Sequence, residues 1–189
     1  MTHFPIRFKP DIDTSVDGHV TEYDNLIDKE LADDIIRYAV NQDGFHRRNS
    51  KTSSVQASFT TCLLVDLNHP IYNILDSVWK SHTEEYGYEL TFIEYYEIKE
   101  YKEGDEFGGH IDTHGAPNLI EERKLNLTVQ LSDPESYEGG DLYIKNHRAT
   151  KSIGSGIFFP PDVVHRVTKV TSGTRYCLIG HGWGVLNRK

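Results

Sequence analysis

Val163-Val-His165-Arg-Val-Thr-Lys-Val170-Thr-Ser-Gly173-Thr-Arg175-Tyr-Cys-Leu-Ile-Gly-His181-Gly182 holds two β-type runs around one turn signal. Val163–Val170 and Thr174–Gly182 are rich in β-branched and apolar residues. Thr171-Ser172-Gly173 between them suits a three-residue hairpin loop with glycine in the left-handed position. Such a loop pairs 170 with 174 and 169 with 175. Arg175 then stands opposite Lys169, four residues from His165, so the histidine and the arginine share one face about 13 Å apart.

The rest of the C-terminal half has the same texture. Leu90–Tyr101 is rich in Tyr, Phe and Ile, and Lys124–Leu131 alternates strictly. Leu125, Leu127, Val129 and Leu131 fall on one face of that run; Asn126, Thr128 and Gln130 fall on the other. Asp141–Lys145 and Gly156–Phe159 add further short runs, and strands at this spacing predict a sandwich or barrel. Two amphipathic helices precede them. Asp28 caps one that runs to about Gln42, with Leu31, Ile35, Ile36, Ala39 and Val40 on one side. Pro70 opens the other, followed by Ile71, Ile74, Leu75, Val78 and Trp79 at helical spacing. The expected fold is mainly β with supporting helices. Residues 1–189 form one domain: helical support and outer strands over 1–89, a β core over 90–185.

The formal charge of −9 comes from 20 Lys+Arg against 29 Asp+Glu. That balance argues against a nucleic-acid partner, which needs a basic stripe. His46-Arg47-Arg48 with Lys51 is a local basic run, read as a solvated loop. Cys62 and Cys177 sit in apolar runs and read as buried free thiols of a reducing compartment. No run is apolar for the roughly 18 residues of a membrane span, and no signal-peptide stretch opens the chain, so the expected place is the cytoplasm, away from membranes.

His110-Ile111-Asp112 is the first candidate for chemistry. With ten histidines in 189 residues such a triplet arises about once by chance, so it carries weight only in combination. On a strand, His110 and Asp112 project together, and Gly104, Gly108 and Gly109 let the backbone turn into it. With His165 they make two imidazoles and one carboxylate, which hold a divalent metal while leaving three facing positions open. His114 competes as a ligand if the strand continues; Gly115-Ala116-Pro117-Asn118 suggests that it ends. Arg175 is a fixed planar cation suited to a distal carboxylate. A His–metal bond, a five-carbon diacid and an arginine side chain laid end to end fill the 13 Å gap.

Three ordered blocks carry a family resemblance. They are Tyr101-Lys-Glu-Gly104-Asp-Glu-Phe107-Gly-Gly-His110-Ile-Asp112; Leu127-Thr-Val-Gln-Leu-Ser-Asp-Pro134 with Glu138-Gly-Gly-Asp-Leu142; and Phe158-Phe-Pro-Pro-Asp-Val-Val-His165 through Arg175-Tyr176. Over roughly Tyr95 to Trp183 the chain resembles the prolyl 4-hydroxylase-like branch of the Fe(II)/2-oxoglutarate-dependent oxygenases, nearest the small PKHD-type hydroxylases. The resemblance implies a double-stranded β-helix (jelly-roll, cupin-like) barrel, Fe(II), 2-oxoglutarate as co-substrate and ascorbate as a reductant. It makes His110, Asp112 and His165 the metal ligands and Arg175 the partner of the distal carboxylate. Tyr101 matches a tyrosine near the metal-binding end of the co-substrate. Gln130 stands where some relatives place a tyrosine on the distal carboxylate, with Thr128 and Asn126 as possible substitutes. Leu142 and Val167 match apolar pocket walls, and Trp183 matches a tryptophan whose spacing from the arginine varies.

The implied reaction hydroxylates a substrate C–H bond while 2-oxoglutarate and O2 give succinate and CO2. A prolyl residue in a peptide or protein is the substrate the motifs suggest; a free amino acid or other small molecule stays open. Substrate reaches the site past Gly44–Ser54 and Thr113–Arg123, two polar segments read as lids. Tyr95 and Tyr96 are candidates for a substrate wall against plain strand packing. Two other classes remain: a non-catalytic jelly-roll module binding metal and diacid, and a Zn hydrolase on the same three ligands. Arg175 argues against the first, since a mere metal or sugar binder has no need of a diacid clamp. The second needs an acid/base carboxylate, for which Asp162 and Glu121 are unplaced.

Overall fold

Backbone hydrogen bonding, not hydrophobic burial alone, sets the frame: among the described residues every strand pairing is antiparallel. The computed structural model describes residues 7–8, 20–41, 46–51, 56–113 and 121–185. In chain order the elements are β1 (Arg7–Phe8), β2 (Thr21–Asp24), α1 (Lys29–Val40), β3 (His46–Lys51), β4 (Gln56–Leu63), α2 (Pro70–Tyr86), β5 (Phe92–Ile93) and β6 (Glu97–Lys102). There follow β7 (Glu106–His110), β8 (Glu121–Gln130), a 3-10 turn (Pro134–Ser136), β9 (Tyr137–Gly139), β10 (Leu142–Ile144), β11 (His147–Arg148), β12 (Gly156–Phe159), β13 (His165–Val167) and β14 (Val170–Val185).

The strand order is β1-β2-β12-β8-β14-β6-β4-β7-β13-β10-β11, with β3 beside β4 and β5 and β9 beside β14. The sheet curls back on itself. Ile157 and Phe159 of β12 share one buried cluster with Leu142 and Ile144 of β10, although their strands lie near opposite ends of the order. The fold is the expected mainly β, jelly-roll half-barrel with two helices outside.

β8 divides inside from outside. Leu125, Leu127 and Val129 join the cluster formed with α1 and α2 through Ala32, Ile35, Leu75 and Trp79. Asn126, Thr128 and Gln130 point the other way, into the barrel, and are buried too. A polar face that is buried rather than solvated must find partners, and it marks the place where chemistry is built. The helices form as their sequences predict. The Asp28 carboxylate accepts a 2.8 Å bond from the Leu31 amide at the start of α1. Pro70 opens α2, and Gly87 closes it in the left-handed conformation, φ 71°. Val40, expected on the buried side of α1, is exposed, as Ile74 of α2 is in part.

Two expectations are corrected. Val163–Val170 and Thr174–Gly182 do not form a hairpin. β13 pairs with β7 and β10, whereas residues from 174 onward pair with β6 and β8. Thr171-Ser172-Gly173 lies inside β14, where β9 takes its hydrogen bonds. Gly173 is left-handed (φ 75°), and a Cβ there would also meet the Ser136 carbonyl oxygen at 2.2 Å, so its backbone conformation and its close approach to the turn before β9 both demand glycine. The chain therefore crosses from one wall of the barrel to another between 167 and 170. The basic run His46–Lys51 is strand β3, in register with β4, rather than a loop. His114, with the rest of 114–120 in the second segment read as a lid, lies outside the described residues, as do 44–45 and 52–54 of the first, whose remaining residues are strand β3. Cys62 and Cys177 are buried free thiols, and no helix among the described residues is long and apolar enough to cross a membrane.

Candidate metal and diacid site

His110 closes β7 and faces His165 of β13 as a registered cross-strand pair, which brings their rings to 4.1 Å between centroids. Asp112 lies just beyond the strand, so alternation along one strand does not place it. Its amide donates to the Pro161 carbonyl at 2.7 Å, tying it to the loop before β13. The result is a group in which one ligand atom from each of His110, Asp112 and His165 lies within 4.8 Å of the others. His110 Nε2 is 3.5 Å from Asp112 Oδ1, and His165 Nε2 is 3.3 Å from Asp112 Oδ2.

The electrostatics suit a cation. Nδ1 of His110 donates to the Gly108 carbonyl at 2.9 Å, and Nδ1 of His165 to the Val163 carbonyl at 3.0 Å. Both Nε2 lone pairs are then turned toward Asp112, which is the tautomer a metal needs. Burial, with the nearby His165, lowers the pKa of His110 to about 4, so its imidazole is neutral near pH 7. Burial pushes the Asp112 carboxyl up, but its polar surroundings, with the His165, His181 and His110 rings gathered about it, outweigh burial and hold the group well below the usual carboxylate range. A carboxylate and two imidazoles converging on one point, each ring with Nδ1 already engaged by a backbone carbonyl, fit a divalent ion.

Arg175 shares the cavity, though not by the predicted hairpin. It comes from β14, opposite Tyr101 of β6, and closes on the same space as His165 from another wall. The lining of this cavity includes His110, Asp112, His165, Tyr101, Leu142, Val167 and Arg175. Leu142 and Val167 face each other in register across β10 and β13. An adjoining small cavity shares Thr128, Leu142 and Arg175 and reaches Gln130. Arg175 is 3% exposed. Its Nε donates to Gln130 Oε1 at 3.1 Å and its Nη1 to Cys177 Sγ at 3.5 Å. Burial opposes its charge, yet Cys177, Tyr137 and Tyr101 around it raise its pKa, so the guanidinium stays ionised. Among the described residues no carboxylate lies within ion-pair distance of it. Burial raises Tyr101 well above its ordinary value, so its hydroxyl stays protonated.

Comparison with known proteins agrees with this geometry. The family model of the 2OG-Fe(II) oxygenase superfamily matches residues 96–183. A PKHD-type hydroxylase of Hyphomonas neptunium is 42% identical over 84 residues. Over this C-terminal stretch the chain is similar to the 2OG-Fe(II) oxygenase superfamily. The alignment with the Hyphomonas protein takes in 41% of this chain and 38% of that one, so the chain spans about two fifths of that relative's length. Viral collagen prolyl hydroxylase from Paramecium Bursaria Chlorella virus-1 has a similar fold, with a TM-score of 0.71 at 16% identity over 98% of this chain and 99% of that one. A Trichoplax adhaerens prolyl hydroxylase, solved with a hypoxia inducible factor peptide fragment, gives 0.64 at 15% identity over 86% and 82%.

The site also uses His181, Tyr137 and Lys99, which sequence reasoning passed over, and Asn126, expected near the distal carboxylate, is bonded to Asp112 instead. Asn126 Nδ2 donates to Asp112 Oδ2 at 2.9 Å, and Asn126 Oδ1 lies 2.8 Å from His181 Nδ1. The Tyr137 hydroxyl lies 3.0 Å from Gln130 Nε2 and beside Arg175. Lys99, paired with Glu97 at 3.2 Å, lines the cavity over the Phe107 ring. His181 and Lys99 were legible by parity, two-residue steps from Arg175 and Tyr101; Tyr137, in a short turn-borne strand, had no periodic signal. Tyr96 is core, bonded to Trp79 Nε1 at 3.1 Å, and Tyr95 lies on an outer groove with Leu63 and Phe92, so neither walls this cavity. Trp183 stacks on Phe92 and donates to Glu94.

Proposed function

We propose that this chain is a hydroxylase that uses Fe(II) and 2-oxoglutarate, with His110, Asp112 and His165 as the metal ligands and Arg175 as the seat of the co-substrate's distal carboxylate. One observation carries the reading. A fully buried guanidinium without a carboxylate partner shares a cavity with a ready-made His-Asp-His group. An unpaired buried charge is costly, and a dicarboxylate reaching from metal to arginine removes that cost.

Bound Fe(II) with 2-oxoglutarate supplies the oxidising chemistry, in which the 2-oxo acid and O2 yield succinate and CO2 and one oxygen atom enters a substrate C–H bond. The chain's own residues hold and shield. The Gly108 and Val163 carbonyls keep the two imidazoles in the ligating tautomer. Gln130 steadies the Arg175 fork, with Tyr137 as the second polar contact at that end. Tyr101 offers a protonated hydroxyl to a bound anion, while Leu142 and Val167 wall the co-substrate from water. Phe107, stacked 3.6 Å from the His110 ring, screens another side. No protein acid or base is required for the step, and ascorbate serves as the reductant that keeps iron ferrous.

The substrate we propose is a prolyl residue in a peptide or protein. Support comes from the prolyl hydroxylases among proteins of similar fold. Incubating the Fe(II)-loaded protein with 2-oxoglutarate and a proline-containing peptide library should give products heavier by one oxygen, located on proline. Oxygen transfer to free amino acids alone would move the reading to a small-molecule hydroxylase.

A further inference from the structure

Asp112 has no strand of its own to aim it. It follows the end of β7, and only its backbone amide is tied, to Pro161. What its carboxylate touches therefore decides how it points. Asn126, 1% exposed on β8, donates from Nδ2 to Asp112 Oδ2 at 2.9 Å, leaving Oδ1 turned to His110 Nε2. The other end of the same amide, Oδ1, meets His181 Nδ1 at 2.8 Å. His181 and Asn126 are registered cross-strand partners on β14 and β8, so the pair is held by the sheet itself.

The chemistry of the groups fixes their orientation. A flipped Asn126 amide would set its oxygen against the Asp112 carboxylate, two acceptors face to face, so the NH2 end must face Asp112. Asn126 Oδ1 can only accept, and so His181 Nδ1 must carry the hydrogen. The chain of donors runs one way, from His181 to Asn126 to Asp112. We infer that His181, acting through Asn126, is the positioning residue that aims the Asp112 carboxylate at the metal. It touches neither metal nor co-substrate in this role, and the inference rests on the reading of Asp112 as a ligand. Without the His181 hydrogen bond the Asn126 amide is free to rotate, and one oxygen of Asp112 loses its fixed partner. Residues that orient a ligand in this way typically govern metal affinity by about ten- to a hundredfold.

Co(II) is the probe, titrated under nitrogen into the wild type, His181→Leu and His181→Asn, with affinity and visible spectrum recorded. Asparagine places an amide NH2 at the same δ position as the imidazole Nδ1, so it restores the donor without the ring. The expected result is a loss of about ten- to a hundredfold in Co(II) affinity and an altered spectrum for His181→Leu, with both largely restored in His181→Asn. Unchanged affinity and spectrum in His181→Leu would overturn the inference, as would an equal loss in both variants. No Co(II) binding by the wild type would instead overturn the metal-site reading, and this inference with it. If His181→Leu does not fold, nitrogen-15 spectra of wild-type side chains decide: the Nδ1–H tautomer at His181 supports the chain of donors, and Nε2–H refutes it.

Discussion

Arg175→Met separates the two things Arg175 does, because its effects on stability and on binding should differ in kind. In the absence of co-substrate the guanidinium is 3% exposed, with Gln130 Oε1 and Cys177 Sγ as hydrogen-bond partners and no carboxylate among the described residues. Methionine keeps much of the side-chain volume and removes the charge. Releasing an uncompensated buried charge is worth several kcal/mol, set against about 1–3 kcal/mol for leaving Gln130 Oε1 without its donor. The variant should thus be at most about 1 kcal/mol less stable than the wild type, and neutral or more stable if the charge term dominates. Binding behaves otherwise. Losing one partner of a buried, hydrogen-bonded charge pair costs about 2–5 kcal/mol, which is about thirtyfold to several thousandfold in affinity for 2-oxoglutarate. Calorimetric titration into Mn(II)-loaded protein measures this, beside urea unfolding of the metal-free forms. Pyruvate, a 2-oxo acid without the distal carboxylate, should bind wild type and variant alike. Near-equal affinity of both proteins for 2-oxoglutarate, or an equal loss for pyruvate, would refute the placement of the distal carboxylate at Arg175.

Gln130→Leu removes the acceptor for Arg175 Nε and the partner of Tyr137, and should weaken 2-oxoglutarate by about 1–2 kcal/mol in the same titration, clearly less than Arg175→Met. Leu127→Ala, on the helix-facing side of β8, should cost about 2–5 kcal/mol in guanidinium unfolding and leave 2-oxoglutarate affinity unchanged. A change in affinity with little loss of stability would contradict the division of faces. His110 and His181 are both lowered to about 4, chiefly by burial, against about 6.5 in an unfolded chain. The unfolded state then binds more protons between those values, so the metal-free protein keeps its full stability above about pH 6.5. It loses up to about 1.4 kcal/mol per pH unit for each histidine as pH falls toward 4. Urea midpoints measured from pH 7.5 to 4.5 check this; a flat profile would show that neither imidazole is buried neutral.

Much of this fold was legible because β8 alternates without error. Leu125, Leu127 and Val129 could only face the helices, and the buried polar remainder, Asn126, Thr128 and Gln130, named the inner face. The helix bounds followed from Asp28 and Pro70. The pairing of the last two runs was not legible. Residues 171–173 have the composition of a turn, but their hydrogen bonds go to β9, a three-residue strand with too little pattern to announce itself. His165 and Arg175 still meet in one cavity, so the expected neighbourhood is right and the hairpin offered for it is wrong. Asp112 shows the same limit, since Pro161 and Asn126, both distant in sequence, hold it where strand alternation does not. Long-range partners of this kind, like Tyr137 beside Arg175, depend on how the sheet curls, and local periodicity carries no record of that.

The most direct test of the central claim is turnover without added substrate. The protein is loaded with Fe(II) under nitrogen, given 2-oxoglutarate and exposed to oxygen, and succinate is followed in the wild type, His165→Ala and Arg175→Ala. Succinate from the wild type alone is the predicted result, with both variants silent because one lacks a ligand and the other the seat of the co-substrate. Succinate formed equally by the Arg175 variant, or no 2-oxoglutarate bound by the metal-loaded wild type, would contradict the account.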